Sequence, residues 1–181
     1  YISTHYKSEM IQEYFGNGEN LGVSIEYINE TIPLGTAGCL GMLPNNISEL
    51  PLIIMNGDLL TKVNFDRLLQ FHNDQKCVAT ICVREYDFQV PYGVVEHDGH
   101  LLQKIIEKPV NRFFVNAGIY VLDSNLIAEI PNDTRLDMTN FLQSQVNDSN
   151  DISVFPLHEY WLDIGRLEEY KQAQKDIGLF E

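Results

Sequence analysis

The chain has 181 residues, 44% of them hydrophobic, and a formal net charge of -14 from 12 Lys and Arg against 26 Asp and Glu. That length supports one domain with a sizeable core, that composition excludes a disordered tail, and no apolar run is long enough to span a bilayer. So acidic a surface argues against nucleic-acid or anionic-membrane partners, and any phosphate chemistry then needs local positive charge from a metal ion or a few placed cations.

In chain order, Tyr1 to Thr4 reads as the tail of a strand, one whose start lies upstream. Tyr6 to Phe15 has helical spacing, with Tyr6, Met10, Ile11, Tyr14 and Phe15 on one side. Val23 to Ile28 alternates as a strand. Leu34-Gly35-Thr36-Ala37-Gly38 is a small-residue loop opening a helix to about Leu43. Leu52 to Met55 is a short apolar run without alternation, the pattern of a strand covered on both faces. It ends at Asn56-Gly57-Asp58. Asn64 is placed to cap a helix carrying Phe65, Leu68, Leu69 and His72.

Cys77 to Val83 is strongly β-prone. Asp98-Gly99 between the runs 93–96 and 101–107 is a hairpin signal, and this hairpin is expected to add antiparallel to the sheet. Phe113 to Leu122 reads as a strand, with Phe113, Phe114 and the tyrosines assigned to the core. Short helices are expected from Ser124 to Ile130 and Thr139 to Val146, strands at 152–155 and 160–164, and a closing helix from Arg166 to Ile177. The strand and helix alternation predicts an α/β fold with a largely parallel sheet. Cys39, Cys77 and Cys82 lack metal-site spacing and read as reduced, mostly buried thiols of a cytoplasmic protein. Tyr1 to Ser8 is polar and mixed, unlike a secretion signal.

Five stretches fall where chemistry can be held. Asp58 is delivered at the carboxyl end of a core strand, the edge at which open α/β sheets bind ligands. After a glycine that admits a close neighbour, it suits Mg²⁺ and a phosphate substrate, although Asn56-Gly57-Asp58 is equally an ordinary turn. Gly35 to Gly38 begins a helix, where free N–H groups favour anions or ring acceptors, or simply a helix entry. Pro109 is expected to keep Lys108 extended, so that Glu107 and Lys108 point to opposite sides unless a bulge intervenes. Asn116-Ala117-Gly118 interrupts an apolar strand with small residues. That suggests either a ligand against the backbone or a bulge with Asn116 bonded to nearby main chain. Asp163, before the last helix, is either a helix N-terminal charge or a second metal ligand to Asp58. Glu168-Glu169 reads as a favourable charge pair at a helix start. His97 and His100 read as a solvated hairpin tip.

Together and in this order, the chain resembles the sugar-1-phosphate nucleotidyltransferases, most of all members like mannose-1-phosphate guanylyltransferase and glucose-1-phosphate thymidylyltransferase. The resemblance rests on Leu34-Gly35-Thr36-Ala37-Gly38, Asn56-Gly57-Asp58, Tyr92-Gly93-Val94-Val95, Glu107-Lys108-Pro109, Asn116-Ala117-Gly118-Ile119-Tyr120 and Trp161-Leu162-Asp163-Ile164-Gly165, which span most of the chain. It implies a Rossmann-like mixed, mainly parallel sheet flanked by helices, with residues 1–181 forming one nucleotidyltransferase domain.

The implied reaction takes an NTP and a sugar-1-phosphate to an NDP-sugar and pyrophosphate, with guanine favoured among the bases. Gly35, Thr36 and Gly38 would then meet the nucleotide, and Asp58 and Asp163 would hold Mg²⁺, Asp58 also touching the nucleotide. Gly93, Glu107 and Asn116 would bind the sugar, and Lys108 the sugar phosphate. The family's Gly-rich loop with its Arg and Lys is missing from these 181 residues. The domain is therefore expected to be incomplete at its N-terminus, lacking the first strand and phosphate loop, and this chain by itself to turn over poorly or not at all. A non-catalytic nucleotide-sugar-binding or regulatory module of the same fold is the alternative. A glycosyltransferase ranks last, because no Asp-x-Asp motif ends the central strand. Oligomeric state is left open, a homo-oligomer included.

Overall fold

Strands and short helices build the fold in a computed structural model that describes residues 1–44, 47 and 50–180. The strands are β1 (Ile2–Thr4), β2 (Tyr27–Asn29), β3 (Leu52–Met55), β4 (Leu59–Thr61), β5 (Ala79–Gln89), β6 (Gly93–Asp98), β7 (Leu101–Glu107), β8 (Val110–Leu122), β9 (Ile152–Leu157) and β10 (Trp161–Asp163). The helices are α1 (Ser8–Phe15), α2 (Gly35–Gly38), α3 (Phe65–Gln75), α4 (Ser124–Ala128), α5 (Met138–Asn147) and α6 (Leu167–Asp176). A four-stranded sheet has the order β3-β8-β5-β9. β1 pairs parallel with β2, whereas β10/β4 and β6/β7 pair antiparallel. The fold is thus the mixed α/β arrangement that the sequence predicts.

The chain divides into two compact units. The first comprises Tyr1–Ile54, Gln75–Ala79 and Val121–Ile152. α5 explains its packing. Met138, Phe141, Leu142 and Gln145 recur at the spacing of one helical face, and all four are buried. Leu34, Ala37, Val121, Leu122, Leu126 and Ile127 are also buried in this unit.

The second unit comprises Met55–Asp74, Thr80–Tyr120 and Ser153–Glu181. Asn64 caps α3 as expected, its Oδ1 accepting the Arg67 N–H at 3.0 Å. The helix buries Leu68 and His72. His72 Nδ1 lies 2.8 Å from Thr80 Oγ1, which lies 2.7 Å from Ser153 Oγ, so this buried polar chain is satisfied.

Several sequence expectations are corrected. The strand expected at 23–28 shrinks to Tyr27–Asn29, because Gly18 and Gly22 flank a 3-10 turn in the left-handed region and Val23 N–H bonds Gly18 O. The apolar side of α1 is not buried, since the helix holds no buried residue. β3 is only half covered, with Ile53 and Met55 exposed, because it lies at one end of its sheet. The β6/β7 hairpin forms a two-stranded sheet of its own. Phe113 and Phe114 are exposed, as are Tyr6, Tyr14, Tyr86 and Tyr92, while Tyr120 is buried. Neighbouring strand residues project to opposite faces, so both rings could be buried only under a layer on each face, and the first half of β8 has none among the described residues.

Candidate active site

Asp58 ends the turn after β3, and Asp163 ends β10. The ladder between β4 and β10 brings them together. Asp163 stands opposite Leu59, and Ile164 N–H donates to Asp58 O at 2.8 Å. The other end of the ladder is closed by Lys62 N–H to Tyr160 O at 2.9 Å. Both carboxylates belong to exposed residues. Partial burial, then the charges of Asp58 and Glu169, hold the Asp163 carboxyl above its ordinary value, while the Gly165 N–H and the Arg166 charge oppose them. Two carboxylates that repel each other at a strand end are a donor set that a hard divalent cation fits. Among the described residues no group of three or more His, Cys, Asp and Glu is clustered for a metal, so phosphate or water oxygens would complete any coordination sphere.

β8 bends beside these acids. Gly118 adopts φ +70°, and a Cβ there would lie 2.7 Å from Asn56 Nδ2. Asn56 N–H donates to Gly118 O at 2.9 Å. Asn116 Oδ1 accepts the Gly118 N–H at 3.0 Å, and its Nδ2 donates to Tyr120 OH at 2.6 Å. Asn116 is therefore bonded to nearby main chain, beside a residue in the left-handed region. Trp161 Nε1–H, from β10, donates to Ala117 O at 2.9 Å.

The hairpin brings two further candidates together. Gly93 stands opposite Glu107, and a Cβ on Gly93 would lie 3.0 Å from Glu107 Oε2. Lys108 corrects the expectation of an extended residue. Its φ is +46°, left-handed, although it precedes a proline. Flanking bonds impose this geometry: Lys108 N–H donates to Tyr92 O at 3.3 Å, Gln89 Nε2 donates to Lys108 O at 3.3 Å, and Val90 N–H to Pro109 O at 3.0 Å. The chain must turn from β7 into β8 inside these constraints. Among the described residues the Lys108 ammonium forms no ion pair.

In the first unit, the Gly35 loop is docked on residues 134–138. Thr36 Oγ1 accepts the Met138 N–H at 2.8 Å, so Thr36 caps α5 in place of Asp137, whose side chain makes no cap bond. Gly35 has φ +77°, and a Cβ there would lie 2.5 Å from Asp137 Oδ1. The N–H groups of Ala37 and Gly38 both donate to Leu136 O, at 2.9 and 3.0 Å. Two of the N–H groups expected to be free are thus used within the chain. Gly38 is buried and packed, which gives its small size a structural cause.

The nucleotidyl transferase family model matches residues 1–178. The chain belongs to that nucleotidyl transferase family. Among its relatives, a mannose-1-phosphate guanyltransferase of Gibberella zeae is 30% identical over 180 residues, 93% of this chain and 48% of the relative. A putative mannose-1-phosphate guanyltransferase of Sulfolobus acidocaldarius is 33% identical over 162 residues, 87% of this chain and 44% of the relative. The crystal structure of HddC from Yersinia pseudotuberculosis complexed with GMP-PN superposes with a TM-score of 0.69 at 24% identity, over 96% of this chain and 76% of that one, which supports the fold. The chain spans about half the length of the curated relatives it matches. No helix among the described residues is long and apolar enough to cross a membrane.

For a nucleotidyl transferase, the sequence reading misses the residues that hold the candidate side chains in place. Glu169 reads as a helix charge, yet it acts electrostatically on Asp163. Asn56 and Trp161 stand in the motifs and Asp137 stands just before α5, but their partners are far away in sequence. Only the fold shows them.

Proposed function

We propose that the protein transfers a nucleotidyl group from an NTP, GTP favoured, to a hexose 1-phosphate such as mannose 1-phosphate, giving NDP-sugar and pyrophosphate. The observation that carries this reading is the juxtaposition of Asp58 and Asp163 across the β4/β10 ladder. The relatives' names as mannose-1-phosphate guanyltransferases, and the GMP-PN complex of HddC, favour guanine and mannose.

On this reading Asp58 and Asp163 hold Mg²⁺, which when bound supplies positive charge for the phosphate oxygens. Lys108 pairs with the incoming sugar phosphate. Gly93, Glu107 and Asn116 hold the hexose, and Gly35 and Thr36 meet the base. A phosphate oxygen of the sugar phosphate attacks the α-phosphorus of the NTP. The bond from that phosphorus to the bridging oxygen breaks, and pyrophosphate leaves with the electron pair. No protein nucleophile is needed. The chain's part is positioning and charge neutralisation, and an ammonium without an ion pair among the described residues, on a strained backbone, is suited to both.

The test is pyrophosphate release by the full-length protein with Mg²⁺, GTP and mannose 1-phosphate, alongside Asp58→Asn. Release that depends on both substrates and vanishes in the variant supports the reading. Metal-dependent release unchanged in Asp58→Asn sinks it.

A further inference from the structure

We infer that Trp161 is a positioning residue that couples the strand bearing Asp163 to the sugar-binding side chain of Asn116. The inference rests on the proposed function.

One peptide group, Ala117–Gly118, takes a bond from each side. Its carbonyl accepts the Trp161 Nε1–H at 2.9 Å. Its N–H donates to Asn116 Oδ1 at 3.0 Å. Rotation of that peptide plane would strain or break both bonds together, so the indole sets where the Asn116 amide can rest. Ala117 is fully buried, and Gly118 beside it is buried with a left-handed φ. A buried carbonyl at a bend of this kind needs a donor, and the indole supplies one. Trp161 and Asp163 are two apart on β10, so they project to the same side of the strand. A shift of β10 that moved Asp163 would therefore pull on the peptide that anchors Asn116.

The remaining bonds of the bend do not replace this one. Asn56 N–H holds Gly118 O, and Tyr120 OH accepts from Asn116 Nδ2. Neither touches the Ala117 carbonyl. Trp161 links β10 to the bend through a side-chain donor, and it lies opposite Thr61 at the start of the ladder that places Asp163.

The experiment uses the fact that Trp161 is the single tryptophan. Growth on β-(3-benzothienyl)alanine replaces it alone, exchanging N–H for sulfur in a ring of nearly the same shape. Calorimetry with α-D-mannose 1-phosphate and Mg²⁺ is compared with GTP and Mg²⁺, and amide exchange is followed at Gly118. The expected result is sugar-phosphate affinity weaker by about 10-fold, GTP affinity unchanged, faster exchange at Gly118 and an unchanged thermal midpoint. Trp161→Phe should show the same split between the two ligands. Equal mannose 1-phosphate affinity in the substituted and natural proteins overturns the role of Trp161 and leaves the proposed function standing. A parallel loss of both ligands also overturns it, because the effect would then be general. A natural protein that binds no mannose 1-phosphate overturns the proposed function and this inference with it.

Discussion

Two glycine-bearing turns carry opposite physics. In Gly35-Thr36-Ala37-Gly38 the protein fills the space that side chains would take: a Cβ on Gly35 would lie 2.5 Å from Asp137 Oδ1, and one on Gly38 would meet the Thr134 carbonyl oxygen. In Asn56-Gly57-Asp58 a Cβ on Gly57 would meet nothing within 4 Å. Both turns read alike in sequence, as small residues admitting a close neighbour. In the first the neighbour is residues 134–137 of the same chain. In the second the space beside Asp58 stays open. A glycine therefore marks close approach without saying what approaches: at Gly35 and Gly38 it is the chain itself, and at Gly57 the space a side chain would take is left open.

The largest expected effect tests the open turn. Asp58→Asn keeps the shape and removes the charge, so product formation should fall by about 10³-fold while thermal unfolding changes little. Assay of pyrophosphate release and a melting curve decide it. Next comes the filled turn. Gly38→Ala drives a methyl into backbone that cannot retreat like a flexible side chain, and should destabilise by about 3 kcal/mol, read from urea unfolding. A neutral Gly38→Ala would mean that the loop's packing is looser than its hydrogen bonds to Leu136 imply.

Lys108 joins a third kind of turn to the comparison, one where strain replaces glycine. Lys108→Gly should relieve the left-handed strain and raise stability by about 0.5–1 kcal/mol after the entropy cost of glycine. It should also weaken sugar-phosphate binding at least tenfold, by loss of the cation. Stability and affinity moving in opposite directions would identify a residue strained for function. A variant that loses both would show that the +46° φ serves only the fold.

The sequence makes the acids legible and hides their supports. Asp58 and Asp163 are isolated carboxylates at the ends of short apolar strands, a local pattern, and the β4/β10 ladder brings their positions together. The hairpin around Gly99 and the Asn64 cap are also local, and both form. The failures are non-local. The rule that a residue before proline stays extended is a preference of one dipeptide, and bonds from Gln89 and Tyr92 override it at Lys108. Helical spacing in α1 identifies an apolar side but not whether anything packs on it. The indole bond from Trp161 to Ala117 spans 44 residues, and no period or motif announces it.

A smaller effect separates Lys108 from the other cation of its region. Arg112 pairs with Asp87 at 2.9 Å and with Glu85 at 3.0 Å. Its hydrogen bond and charge hold the Asp87 carboxyl below its ordinary value of 3.8. A carboxyl depressed in the folded state adds stability above its unfolded value, and that contribution is lost as pH falls through the folded one. Arg112→Met should therefore lower the melting temperature slightly near neutral pH and not at all in strong acid. Lys108→Met, with no such partner, should show no such convergence.

Gly57→Ala should have the smallest effect on folding, and it is the sharpest test of the opening contrast. The backbone at Gly57 lies outside the left-handed region, so alanine meets no conformational penalty there, and the added methyl enters open space. Stability should change by no more than about 0.5 kcal/mol. If that space receives a ligand beside Asp58, the same methyl should weaken Mn²⁺-dependent nucleotide binding by several-fold, measured by calorimetry at equal metal concentration. Gly38→Ala should show the reverse pattern, a large loss of stability with ligand binding impaired only as far as unfolding requires. Equal destabilisation by the two substitutions would erase the distinction between a turn closed by its own chain and a turn left open for chemistry.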